Sequence, residues 1–230
     1  MKRLLLLVPV MSLVAAPVMA QTILSLGATG SAQGEPDEAV AHFQIQANRD
    51  DAASAQAAVN QAMAKALAQA RVVSGVVATT SGYSNYSIMA DHQTRREFIA
   101  QQSLTLVQPA KNGVPDQAFS TLLGSLQSEG LMLEGLNGAL SKSGMQTVQR
   151  EALREALVNL RAEAEEIATT LHKKVGALQT LTVDNDTGSV VPRFPRMMAV
   201  AASAPVPQSA PAQITVTSSV SAKIVLDPGA

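Results

Sequence analysis

Between Ser143 and Leu171 the apolar residues return at steps of three and four: Val148, Ala152, Ala156, Leu157, Leu160, Ala164, Ile167, Ala168 and Leu171. That period places them on one face of a helix, with Arg150, Glu151, Arg154, Glu155, Arg161, Glu163, Glu165 and Glu166 over much of the rest. Ser143 with Gln146 reads as a capping box, and Gly176, beyond Lys173 and Lys174, as a stop. At ~1.5 Å per residue the helix would span roughly 40 Å, enough to cover a sheet. Its period is closer to 3.6 than to a heptad, and strands are predicted on both sides, which favours a sheet cover over a coiled coil.

Elsewhere the alternation is mostly of period two. Thr22 to Thr29 reads as a strand, Gly30 to Gly34 as a turn, and Ala39, Ala41, Phe43, Ile45 and Ala47 as the covered face of a second strand. These two are expected to pair as a hairpin. Asp50 or Asp51 can cap a helix carrying Ala55, Ala58, Val59, Ala62, Met63, Ala66, Leu67 and Ala70. Tyr83 to Met89 and Arg95 to Val107 flank the turn Asp91-His92 as a second hairpin. Pro115-Asp116 opens a short helix with Phe119, Leu122, Leu123 and Leu126 on its apolar face, ending near Gly130. Leu131 to Leu140 and Leu178 to Asp184 read as strands. From Ile214 to Leu226 the alternation is the most regular in the chain. The predicted class is α+β: a mainly antiparallel sheet of about seven strands, with three helices packed on one side.

Two segments stand outside this pattern. Residues 1–20 begin with Lys2 and Arg3, continue as an apolar run from Leu4 to Val14, and end in Val18-Met19-Ala20, the form of a cleaved export signal. The run is short for a membrane span, and no later segment is long and apolar enough, so no transmembrane segment is expected in the mature chain. No cysteine follows it to take a lipid. The mature chain is expected to be a periplasmic single domain, 21–230. Within it, 187–211 is rich in proline, alanine and methionine and shows no sustained period, which predicts a long flexible loop before the last strand.

Charge and composition narrow the function classes. Removing Lys2 and Arg3 from the 17 basic residues leaves 15 against 18 acidic ones, a net charge of −3. No basic stretch carries aromatics for base stacking, so no nucleic-acid partner is expected. The absence of cysteine removes disulfides, thiol nucleophiles and thiolate metal sites.

In order, ILSLGATGSAQGEPDEAVAHFQI, the Ala-rich helix, TSGYSNYSI, RREFIAQQSLTL, REALVNLRAEAEEIATTLHKKVGALQTL, PRFPRMMAVAASAP and ITVTSSVSAKIVL resemble the SIMPL-domain family, which includes bacterial 26–28 kDa periplasmic immunogenic proteins. The resemblance covers nearly all of the mature chain, and Pro36-Asp37, Tyr83 to Ile88 and the Pro/Met-rich loop carry most of it. The chain departs from the family where a Gly-Glu pair often precedes the last strand, here Pro211-Ala212-Gln213. It departs again where a Tyr often opens the fourth strand, here Glu97-Phe98. The resemblance implies a secreted or periplasmic α+β protein, often oligomeric, linked in some bacteria to protection against oxidative or envelope stress. It brings no catalytic residues.

Residue chemistry adds little beyond this. His42, His92 and His172 lack a metal partner at helical spacing, and a solvated turn accounts for Asp91-His92 better than a ligand pair does. Asp184-Asn185-Asp186-Thr187-Gly188 fails as a calcium loop, because its glycine is misplaced and Pro195 stands at the expected glutamate. Gly27, Gly30 and Gly34 form no phosphate loop, and Glu165 and Glu166 belong to a charged helix face. No catalytic, cofactor or metal site is expected, and the chain is read as non-enzymatic. Arg193, Phe194, Arg196, Met197 and Met198 combine charge with adaptable apolar side chains, as partner contacts do, and fit an unstructured surface excursion equally well. The expected role is a self-assembling homo-oligomer, with an envelope protein as a further possible partner. The alternative is a monomeric module for a small ligand or envelope polymer. Oxidant scavenging by Met197 and Met198 is a third option.

Overall fold

A computed structural model describes residues 21–90, 95–184 and 213–229. The elements run β1 (Thr22–Gly34), β2 (Glu38–Arg49), α1 (Ala52–Val72), β3 (Val77–Ala90), β4 (Arg95–Pro109), a 3-10 turn (Lys111–Gly113), α2 (Gln117–Ser128), β5 (Met132–Ala139), α3 (Lys142–Thr170), β6 (Lys173–Asp184) and β7 (Ile214–Pro228). The class is α+β as predicted, and the described residues form seven strands and three α-helices, where the periodicity predicts about seven and three. The strands divide into two antiparallel sheets, a three-stranded one in the order β1-β7-β6 and a four-stranded one in the order β3-β4-β2-β5.

The expected hairpin of the first two strands does not form. β1 pairs instead with β7, in unbroken register from Thr22 opposite Leu226 to Gly34 opposite Ile214. Residues 30–34, expected as a turn, are strand. Their glycines serve packing: a Cβ at Gly30 would overlap the backbone of Ala152, Glu155 and Ala156, and one at Gly34 would come within 2.6 Å of Val148 Cγ2. The chain turns at Pro36 instead. There β1 ends and β2 enters the other sheet, where it lies between β4 and β5. The β3–β4 hairpin forms as predicted.

Helix boundaries follow their capping groups. Asp51, not Asp50, caps α1: its Oδ1 accepts from Ser54 N at 2.8 Å. Hydrogen bonds from the Ser54 hydroxyl, then from the Ser54 backbone, hold the Asp51 carboxyl below its ordinary value. Asp116 caps α2 through Phe119 N. The long helix starts one residue before Ser143, because Ser141 is its cap and accepts from Gly144 N at 3.1 Å. It stops at Thr170, where His172 takes a left-handed backbone (φ 53°) and turns the chain into β6. Gly176, expected as the stop, lies inside β6.

Each sheet has its own helical cover. α1 and α2 bury Val59, Met63, Phe119, Leu122, Leu123 and Leu126 against Phe43 and Ile45 of β2 and Leu104 and Leu106 of β4. α3 buries Ala156, Leu160 and Ala164 against Val220, Ala222 and Ile224 of β7, with Val148 packed on Ile214 and Val216. The two layers meet at a joint built on Pro36 and Asp37. Gly113 (φ +69°) and Gly138 approach so closely there that a Cβ on Gly113 would lie 2.6 Å from Gly138 Cα and 2.9 Å from Pro36 Cβ. Asp37 accepts from Ser141 N at 2.5 Å and Ser141 Oγ at 2.6 Å. Its backbone N–H donates to Ala139 O, and its carbonyl accepts from Ala110 N. One residue thus ties the entry of β2 to the exit of β5, the end of β4 and the start of α3. An anion at a helix N-terminus is favoured by the helix dipole as well. Asp37→Ala is expected to lower stability by about 1–2 kcal/mol, read as a urea midpoint shift, with Asp37→Asn losing less because it keeps one acceptor.

A second polar link joins α1 to the end of α2. Glu129 Oε1 accepts from Lys65 Nζ at 2.8 Å and Gln69 Nε2 at 2.6 Å, and Ser125 Oγ donates to Gln69 Oε1. The Lys65 hydrogen bond, with help from Gln69, holds the Glu129 carboxyl below its ordinary value against the opposing effect of burial. A carboxylate with a depressed folded pKa stabilises above its unfolded value and loses that contribution as pH falls through the folded one. The urea midpoint is therefore expected to fall on acidification below the ordinary glutamate range, and to fall less in Glu129→Gln.

Candidate interaction surfaces

Among the described residues the structure brings no sequence-level candidates into a common site. Arg193, Phe194, Arg196, Met197 and Met198 lie outside the described residues, as do His92 and most of the segment from Asp184 to Gly188. His42 is exposed on the helix-free face of the four-stranded sheet, with Nδ1 3.2 Å from Thr105 Oγ1. His172 ends α3. Glu165 pairs along its own helix with Arg161 at 2.8 Å, which raises the Arg161 pKa above its ordinary value, and Glu166 is exposed. Among the described residues no cluster of three His, Cys, Asp or Glu forms that would hold a metal.

Three surface features remain. The first is an apolar strip on β6. α3 packs chiefly over β1, less over β7 and least over β6. Val175, Leu178 and Leu181 sit opposite Leu226, Ile224 and Ala222, on the helix-covered side of the sheet. With the helix displaced toward β1 they stay exposed, Leu178 to 53%. Leu157 and Leu171 of α3 are exposed as well. The second is the end of the β3–β4 hairpin, which runs on past Phe98, where β2 stops pairing. Ile88 and Met89 of β3 are exposed there, and Tyr83 and Tyr86 are exposed earlier on the same outer strand.

The third is a shallow, open depression of about 370 Å³ on the helix-free face of the three-stranded sheet. It lies where Gly27 has no side chain, among Ser25, Ser221, Thr180, Thr182 and Lys223. A smaller polar notch of about 180 Å³ lies among Asn48, Arg49, Asp50 and Glu97. Asn48 Nδ2 donates to Glu97 Oε2 there at 2.5 Å.

The profile of one family, SIMPL, described as a protein of unknown function (DUF541), matches residues 24–224. The chain belongs to the SIMPL family. No curated protein matches it.

In this SIMPL protein the motifs that carried the resemblance acquire physical roles. Pro36-Asp37 is the joint between the two layers, and Tyr83 to Ile88 belongs to the outer strand β3, where Tyr83, Tyr86 and Ile88 are exposed. The β6 strip was not legible in the sequence: Val175, Leu178 and Leu181 stand three apart, which period two would send to alternate faces, and the two register shifts of β6 bring them to one side. What exposes them is the lateral position of a helix 29 residues long, which the period of that helix does not encode. Among the described residues no helix is long and apolar enough to cross a membrane.

Proposed function

We propose that this SIMPL protein is exported to the periplasm, is not an enzyme, and works as a self-associating single-domain protein. The observation that carries the reading is the apolar strip Val175, Leu178 and Leu181, left exposed among the described residues, as Leu157 of α3 is too. Contiguous exposed apolar surface of this kind marks association sites. Export rests on the basic, apolar and small-residue sequence of residues 1–20. A role in envelope or oxidative-stress tolerance is what the family resemblance implies. Light scattering on residues 21–230 over a range of concentrations tests the assembly. The expected result is a defined oligomer that dissociates in Leu178→Lys/Leu181→Lys. A strict monomer at every concentration sinks the proposal. Mass spectrometry of the exported form tests the export reading, which expects an N-terminus at Gln21.

The depression over Gly27 favours a second reading, a binding module for a small ligand or envelope polymer. Its volume is near the lower end for ligand sites, and its lining offers four hydroxyls and the Lys223 ammonium. Titration with anionic saccharides, with Lys223→Ala as the control, decides between the two readings. Saturable binding lost in the variant would favour the module.

A further inference from the structure

The four outer strands of the two sheets are not alike. The pairing of β6 shifts register twice, between Val175 and Leu178 and between Leu178 and Thr180. β3 carries a shift between Ser81 and Ser84, and the pairing of β5 shifts opposite His42 and Phe43. Such interruptions spoil an edge as a template for a further strand. β1 has none. It is thirteen residues long, regular throughout, and contains neither proline nor a charged residue. By its backbone alone it would be the edge most open to adding a strand.

Two side chains of α3 reach that edge. Glu155 Oε2 accepts from Ser31 N at 2.6 Å, and Asn159 Nδ2 donates to Thr29 O at 2.9 Å. Backbone groups in an antiparallel strand alternate in direction, so the odd-numbered positions of β1 turn away from β7, and Thr29 and Ser31 are two of these. A carboxylate and an amide, one turn apart on the helix, thus supply an acceptor and a donor to groups that an added strand would otherwise engage. Gly30 lies between them, and its contact with Ala152 and Ala156 brings the helix close enough for both side chains to reach.

We propose that Glu155 and Asn159 guard the free edge of β1, and that β1, once released, pairs with the same strand of a second copy. The uncharged sequence fits this occupant, because two antiparallel β1 strands place no like charges opposite each other. In the guarded state assembly through β1 is blocked. The guard is therefore separate from association through the β6 strip, and the Leu178→Lys/Leu181→Lys variant leaves it intact.

The test uses residues 21–230 with Glu155→Ala/Asn159→Ala, and a labelled peptide of residues 22–34 as the probe. Amide exchange at Ser31 is expected to quicken about tenfold or more once its charged acceptor is gone. The peptide is expected to bind the double variant at least about tenfold more tightly than the wild type. Glu155→Gln, which keeps an acceptor oxygen, should behave as wild type. Leu160→Ala weakens the core under the same helix without touching the edge and should gain no peptide binding. Unchanged exchange at Ser31, or equal peptide binding by wild type and double variant, would overturn the guard. Equal gains in Leu160→Ala and the double variant would overturn it too, because general loosening of α3 would then explain the effect.

Discussion

Gly30→Ala is expected to destabilise the protein by about 3 kcal/mol or more, whereas Gly124→Ala should stabilise it by roughly 0.5–1 kcal/mol. The two substitutions add the same methyl group. At Gly124, on the exposed side of α2, the new Cβ meets nothing within 4 Å, and alanine is simply the better helix former. At Gly30 it would overlap Ala152 O, Ala156 N and Glu155 C. Those are backbone atoms in the middle of a helix, so no rotamer change relieves them. α3 would have to lift off β1, which uncovers Leu24, Leu26 and Ala28 and withdraws Glu155 and Asn159 from the edge. Urea midpoints at unchanged m-values measure both effects. A loss below about 1 kcal/mol at Gly30 would show that the helix tolerates a wider seat than this packing allows.

Phe43→Ala should cost about 3–5 kcal/mol. Phe43 is fully buried on the central strand β2, in register with Leu104 of β4 and Leu133 of β5. Removing its ring opens a cavity beneath α1 and α2 that the paired strands cannot collapse to fill. Substituting Phe43 by leucine should recover more than half of the loss, because most of the volume returns. Chemical denaturation checks the magnitude, and amide exchange checks the location. Protection should fall first among the residues of the four-stranded sheet and its helices, since the core under α3 is built from other side chains.

Local pattern decided much of this protein. Period two in β2 and β7 and period 3.6 in α3 reported most of the covered side chains, although Leu157 and Leu171 of the predicted stripe are exposed. Asp51 was readable as one of two candidate caps, because a cap bonds to a backbone N–H three residues on, whereas Asp116 was read as part of the first turn of α2 and is its cap. The strand pairing was another matter. Thr22 to Gly34 alternates equally well for either partner, and proximity in sequence favoured β2. The buried Pro36 and the long complementary register with β7 decided otherwise. Likewise the glycines of β1 suggested a turn, and only the seat of α3 shows why side chains are excluded there.

The surfaces divide in the same way. That no residue group would form a reactive cluster was an expectation drawn from residue types, while the features that now carry proposals depend on where elements lie side by side. Leu178 and Leu181 share a side only through a register shift in β6, and they are exposed because α3 leans toward β1. Glu155 and Asn159 have the sequence of a solvated helix face, yet they bond to Ser31 and Thr29, more than a hundred residues earlier. The sequence by itself determined the elements, their covered faces, the class and the family likeness, all of which rest on near neighbours in the chain. The division into two sheets, the joint at Asp37 and the closed edge of β1 were decided only by the tertiary structure. Each depends on contacts between segments whose separate patterns permit several partners.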